Sequence, residues 1–207
     1  MFIGEWNKSV ILTYIGMGFA VLGMYLAFMG RVPQAFACLI VAGVCDLFDG
    51  AVARKCDRNM AQKLFGIQLD SLVDVLSFLA LPISICMSMG MKQWYHILVL
   101  IWFSICGIAR LAFFNVESNA ESENGEGPIR YYRGLPVTYT ALILPFVYLL
   151  HLLMPETLFL MLYGLVVAGI GGLNILDVKV VKPRGMAYGV FALLAITMVV
   201  VFLLLPV

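Results

Sequence analysis

The sequence predicts an all-α integral membrane protein, a polytopic bundle of about seven transmembrane helices forming a single domain over residues 1–207. Three observations predict it. First, only 12% of the residues are charged and 63% are apolar, whereas a soluble domain carries about 25% charged and about 45–50% apolar residues. The mean hydropathy is +1.01. Second, the apolar residues fall into long runs, each sufficient for about 30 Å of hydrocarbon at about 1.5 Å per residue. Third, no run alternates polar with apolar residues, which a membrane β-barrel requires. An open sheet would leave unpaired backbone in lipid, so helix is the conformation for every run. The composition excludes a soluble globular domain, a disordered chain and a fibrous repeat. A net charge of +1 gives nucleic acid no electrostatic purchase. The partner this composition demands is a lipid bilayer.

Seven spans are predicted: Ser9–Gly30, Pro33–Lys55, Lys63–Gly90, Trp94–Asn115, Leu135–Met154, Thr157–Asp177 and Met186–Val207. The uncharged run from Val10 to Gly30 follows Lys8. It is too long for the apolar core of a signal peptide and no small-x-small cleavage site follows, so it is expected to be the first span. The connector Val116–Arg133 is polar, with Glu117, Glu121, Glu123 and Glu126. Its composition is that of a mobile segment, either a solvated connector or a lid over a substrate. The cysteines at 38, 45, 56, 86 and 106 contain no Cys-x-x-Cys pair and are expected to be free. Gly169, Gly171 and Gly172 in span six suit either close helix contacts or the face of a homodimer. His96 and His151 fall at the far side of the bundle from the acids considered below and are not expected to bind metal.

The bases set an orientation. With the N-terminus cytoplasmic, Lys8, Arg54, Lys55, Arg58, Lys63, Arg110, Arg130, Arg133, Lys179, Lys182 and Arg184 lie at or near the cytoplasmic side, and Arg31 and Lys92 on the other. Eleven against two is a strong positive-inside bias, and it places the C-terminus outside.

The acids carry the chemistry. Asp46 and Asp49 end the second span, and Asp70 and Asp74 begin the third. Spacings of three and four put each pair on one helical face. An Asp deep in a bilayer costs about 2.5–3.5 kcal/mol, so four would approach roughly 10–14 kcal/mol. Four acids facing one another also repel, and together they call for cations. Neutralisation by Arg54, Lys55, Arg58 and Lys63 is the plain alternative, but it does not account for the paired faces. Oxygen ligands without His or Cys suit a hard ion, Mg²⁺, Mn²⁺ or Ca²⁺, ahead of zinc. Two helices with four carboxylates have the ligands for two ions about 3.5–4 Å apart, an arrangement used in phosphoryl chemistry. Gly50, Ala53 and Gly66 are small enough to admit a bulky ligand to the backbone. Arg54 beside them is a fixed positive charge suited to phosphate.

The ordered set Asp46-x-x-Asp49-Gly50-x-x-Ala53-Arg54 … Gly66-x-x-x-Asp70-x-x-x-Asp74 resembles the signature of the CDP-alcohol phosphatidyltransferases. These are integral membrane enzymes that move a phosphatidyl or similar group from a CDP-linked donor to an alcohol and release CMP. Phe65 to Phe78 with Pro82, Ala109 to Asn115, Gly134-Leu135-Pro136 and Asp177 to Pro183 resemble the phosphatidylserine synthase branch of that family. The resemblance covers about Asp46 to Pro183. The sequence departs from it in four places. The spacing from Arg54 to Gly66 is longer, Gln62-Lys63 stand where relatives often have a hydroxyl residue, Leu79 replaces a glycine, and the first span lacks the family's Asn and Gly pattern around Thr13.

The resemblance implies CDP-diacylglycerol and serine as substrates and phosphatidylserine as product. It implies that Asp46, Asp49 and Asp70 bind divalent metal, Mg²⁺ or Mn²⁺, and that Asp74 both contacts metal and acts as general base. It also implies that Asp46, Asp49, Gly50, Ala53, Arg54 and Gly66 hold the CDP part of the donor. For the serine carboxylate or the lipid phosphate the residues suggest Arg110, with Asn115, Arg133 and Lys182 behind it. Another acceptor alcohol, such as glycerol phosphate or inositol, is the nearest alternative. A cation or proton transporter is the alternative of another class, but such proteins favour midplane sites and internal repeats, and no repeat is visible.

Overall fold

The computed structural model describes residues 4–124, 131–181 and 186–205. Its helices are α1 (Ile11–Phe28), α2 (Val32–Arg54), α3 (Met60–Val75), α4 (Leu81–Ser88), α5 (Trp94–Asn124), α6 (Thr140–Tyr148), α7 (Glu156–Ile175) and α8 (Met186–Leu204). α3 and α4 are joined without a break by a π-helical segment, Leu76–Ala80. Short 3₁₀ turns extend α1 at its start and α6 at both ends. The seven predicted spans therefore map one to one onto helical segments. Five are long and apolar enough to cross a membrane, and the shorter apolar segments Val137–Leu152 and Tyr188–Leu204 account for spans five and seven.

Local sequence explains the boundaries. Pro33 sits in the first turn of α2, where its missing N–H breaks no helical bond. Asn59 caps α3 in a reciprocal box: its Oδ1 accepts from Gln62 N (2.8 Å) and Gln62 Oε1 accepts from Asn59 N (3.2 Å). Gln62, which departs from the family pattern, thus has a structural task here. The π segment has a cause too. Pro82, in the first turn of α4, cannot donate to a carbonyl one turn back and its ring crowds that carbonyl. Winding the preceding turn wider, with Leu81 N bonded to Leu76 O, opens the space it needs.

Two features differ from the sequence expectation. The connector after span four does not leave the helix at Asn115, because α5 continues to Asn124; Glu and Ala in that stretch sustain helix well. A two-stranded antiparallel ribbon also forms outside the spans, β1 (Tyr131–Arg133) with β2 (Lys179–Val181), pairing Tyr132 with Val180. Three-residue strands are too short to show a period in sequence.

α2 is the centre of the bundle. It packs against α1, α4, α6 and α8, while α5 packs on α7. Small residues set the approach. A Cβ on Gly16 would lie 3.1 Å from Cys45, and one on Gly43 only 2.8 Å from Ala141. An aromatic knot of Phe36, Tyr148 and Phe202, with centroids 4.7–5.9 Å apart, pins α2, α6 and α8 together. It lies ten residues before Asp46 on α2, about 15 Å along the axis. All five cysteines are free.

Candidate active site

The four aspartates converge between the C-terminal turns of α2, which carry Asp46 and Asp49, and those of α3, which carry Asp70 and Asp74. One carboxylate oxygen from each of Asp46, Asp49 and Asp70 lies within 4.8 Å of the others. Asp74 faces Asp46, and Asp70 faces Asp49. The helical spacings of the sequence thus deliver all four to one point. Asp49 is buried at 8% exposure and accepts a hydrogen bond from Thr13 Oγ1 of α1 at 3.1 Å.

The cluster forms the polar wall of a cavity of about 300 Å³. Gly50, Arg54 and Arg110 join the aspartates on that wall, and α6 with the 3₁₀ turn before it and α8 supply an apolar wall that includes Tyr139, Tyr188 and Phe191. Arg110 is 7% exposed, with its guanidinium carbon 5.0 Å from the Phe114 ring centroid. It is buried in the bundle, not splayed toward lipid headgroups. A volume near 300 Å³ is at the small end of ligand pockets.

The other expected site residues are placed as follows. Gly66 does not line the cavity; Arg58 Nη1 lies 3.5 Å from where its Cβ would be, as Arg54 Nη1 lies 3.6 Å from a Cβ on Gly50. Each glycine therefore provides a seat for a guanidinium one turn from an aspartate. Ala53 is half-buried and also lies off the cavity wall. Asn115 Oδ1 accepts from Ser71 Oγ at 2.9 Å, which ties α5 to the residue following Asp70. Arg133 is drawn away from the cavity: its Nε and Nη2 donate to the two carboxylate oxygens of Asp177 at 2.9 and 2.6 Å, with Glu117 at 3.9 Å. That paired hydrogen bonding holds the Asp177 carboxyl below the usual carboxylate range. Lys182 lies outside the described residues.

Sequence reasoning missed Thr13, Ser71 and Tyr188. Thr13 and Ser71 carried the signal of a hydroxyl beside an acid-bearing helix, but the partner helix is known only from packing. Tyr188 is one polar tip in an apolar span and left no signal.

The aspartate set passes a simple fit test for a hard cation. Oxygen ligands on opposite sides of one ion are separated by about 4.2 Å for Mg²⁺ and about 4.8 Å for Ca²⁺, and the three aspartates already present oxygens within 4.8 Å. Fold and site together define a polytopic helical membrane protein with a carboxylate cluster that could hold a hard cation, beside a cavity of about 300 Å³. The chain belongs to the CDP-alcohol phosphatidyltransferase family, whose model matches residues 6–206. It is 38% identical over 112 residues to a CDP-diacylglycerol–serine O-phosphatidyltransferase of Saccharomyces cerevisiae, covering 53% of this chain and 40% of that one. It is 31% identical over 140 residues to an archaetidylserine synthase of Methanothermobacter thermautotrophicus, covering 67% of this chain and 56% of that one. It is 31% identical over 101 residues to a CDP-diacylglycerol–serine O-phosphatidyltransferase of Bacillus subtilis, covering 48% of this chain and 51% of that one. The matched regions span about half the length of these relatives.

Proposed function

We propose that this protein transfers the phosphatidyl group of CDP-diacylglycerol to the hydroxyl of L-serine, giving phosphatidylserine and CMP. The observation that carries the reading is the convergence of Asp46, Asp49, Asp70 and Asp74 on one cavity that Arg54 and Arg110 also line. The names of the relatives supply the acceptor and the donor class. Asp46, Asp49 and Asp70 would hold Mg²⁺ or Mn²⁺, with Asp74 beside them and room in the ligand set for two ions. Bound there, the metal supplies charge neutralisation to a diphosphate.

The chain's own residues do the rest. A serine hydroxyl is a poor nucleophile, so a positioned carboxylate takes its proton as it attacks phosphorus. Asp74 is assigned that role, with the new P–O bond forming as the bond to CMP breaks. Gly50 and Arg54, on the cavity wall, bind the CDP phosphates; Gly66 and Ala53, which lie off that wall, are assigned to the CDP site by the family resemblance alone. Arg110, a fixed cation on the cavity wall, binds the serine carboxylate or the lipid phosphate through its planar fork of donors. The apolar wall of α6 and α8 excludes water that would otherwise compete with serine. The active site and the N-terminus are assigned to the cytoplasmic side.

The test is direct. Purified protein with Mn²⁺ or Mg²⁺, CDP-diacylglycerol and labelled serine should release CMP and form labelled lipid in equal amounts. Release of CMP with another alcohol but not with serine would move the acceptor assignment, and no release with any alcohol from a folded sample would overturn the reading.

A further inference from the structure

Behind the carboxylates, on the α1 side, lies a second chamber of about 10 Å³. Thr13, Ser77 and Phe78 line it, and all four aspartates border it as well as the main cavity. A hydroxyl in a lipid-embedded helix ordinarily donates to the carbonyl one turn back. Ser84 does so to Ala80 O (2.9 Å), Ser104 to Leu100 O (2.8 Å) and Thr197 to Leu193 O (2.9 Å). Thr13 and Ser77 do not. Thr13 Oγ1 reaches across to Asp49 Oδ2 at 3.1 Å. Ser77 is 2% exposed, and its Oγ has no partner among the described residues. It sits in the π segment directly after α3, three residues beyond Asp74.

A buried hydroxyl without a partner is costly, and a chamber of about 10–15 Å³ with polar walls is the size that holds one water. The geometry points to a rear wall that orients the carboxylates: Thr13 fixes Asp49 directly, and Ser77 fixes Asp74 through one water in the chamber. Neither residue lines the main cavity, so both are positioning residues, acting on the carboxylates from the α1 side. The inference rests on the metal reading above.

Mn²⁺ binding to the full chain in detergent, without substrates, tests it; free Mn²⁺ is read by its electron paramagnetic resonance signal. Thr13→Val keeps the volume and removes the donor, whereas Thr13→Ser keeps the donor. Thr13→Val and Ser77→Ala should each weaken Mn²⁺ binding by about 10–100-fold, the usual cost of removing a group that orients a metal ligand. Thr13→Ser should retain wild-type affinity. Metal-free melting curves identify any variant that has merely failed to fold. Wild-type affinity in Thr13→Val and Ser77→Ala would overturn the inference and leave the metal site standing. A dry chamber in a high-resolution density map would overturn its Ser77 half. Wild-type protein that binds no Mn²⁺, or binds it equally after Asp49→Asn, would remove the metal reading and this inference with it.

Discussion

At the scale of single residues, charge and backbone freedom do different work. Asp74 and Arg110 share a cavity wall, yet their substitutions should separate. Asp74→Asn removes the base and should lower turnover by about 10²–10⁴-fold while the donor still binds, as equilibrium binding of CDP-diacylglycerol would show. Arg110→Ala should instead raise the KM for serine or for donor with little loss of folded protein; unchanged steady-state kinetics would exclude it from substrate binding. Gly134 serves the backbone. It has φ +77°, and a Cβ there would clash with Asn174 O. Gly134 N also bonds Val178 O and Leu135 N bonds Leu173 O, both at 2.9 Å, so the start of span five is stitched to the end of α7. Gly134→Ala should destabilise by roughly 1–3 kcal/mol from strain alone. Gly169→Ala, where nothing lies within 4 Å, should be neutral or slightly stabilising, because a helical Ala loses less backbone entropy. Thermal melting of the two variants makes the comparison.

At the scale of elements, the β1–β2 ribbon and the Arg133–Asp177 pair join the segment before α6 to the segment before α8. Both helices line the cavity, so the ribbon holds its apolar wall together at the end where the aspartates lie. The pair is exposed, and such pairs contribute little to global stability; its effect should be local. Because Arg133 depresses the Asp177 carboxyl, the pair is fully formed above the ordinary Asp value of about 3.9. It is lost only as pH falls through the lower folded value. Asp177→Asn should therefore speed amide exchange in β1 and β2 at neutral pH, and wild type and variant should converge in acid. A difference that persists in acid would exclude the pair as the cause. The π segment is the other element with a local cause and a distant consequence. Pro82 makes the wider turn necessary, and that turn carries Ser77 at the chamber behind Asp74.

At the scale of the whole molecule, the distribution of bases predicts which end faces the cytoplasm. A cysteine at Gln93 should react with an impermeant maleimide on intact cells, and one at Asn59 only after permeabilisation. The reverse pattern would invert the assignment. The fold class, the seven helical segments and the convergence of Asp46, Asp49, Asp70 and Asp74 were legible in sequence, because each follows from a local quantity. Hydropathy over about 20 residues finds a span, and spacings of three and four put acids on one face. Arg110 was legible for a similar reason: a cation within an apolar run is costly to keep in lipid and marks a functional position. Arg133 was not, because its pairing with Asp177 brings together residues 44 positions apart. Thr13, Ser77 and Tyr188 were hidden for the same reason. Their surroundings come from neighbouring helices, and an isolated hydroxyl in an apolar span has an equally good outlet in its own helix. Sequence by itself determined the lipid environment, the helices and the acid-bearing faces, since those depend on residues close together in the chain. Only the packing of α1, α6 and α8 around α2 decided the shape of the cavity and what stands behind its carboxylates, because contacts between helices depend on side-chain volumes that no single span contains.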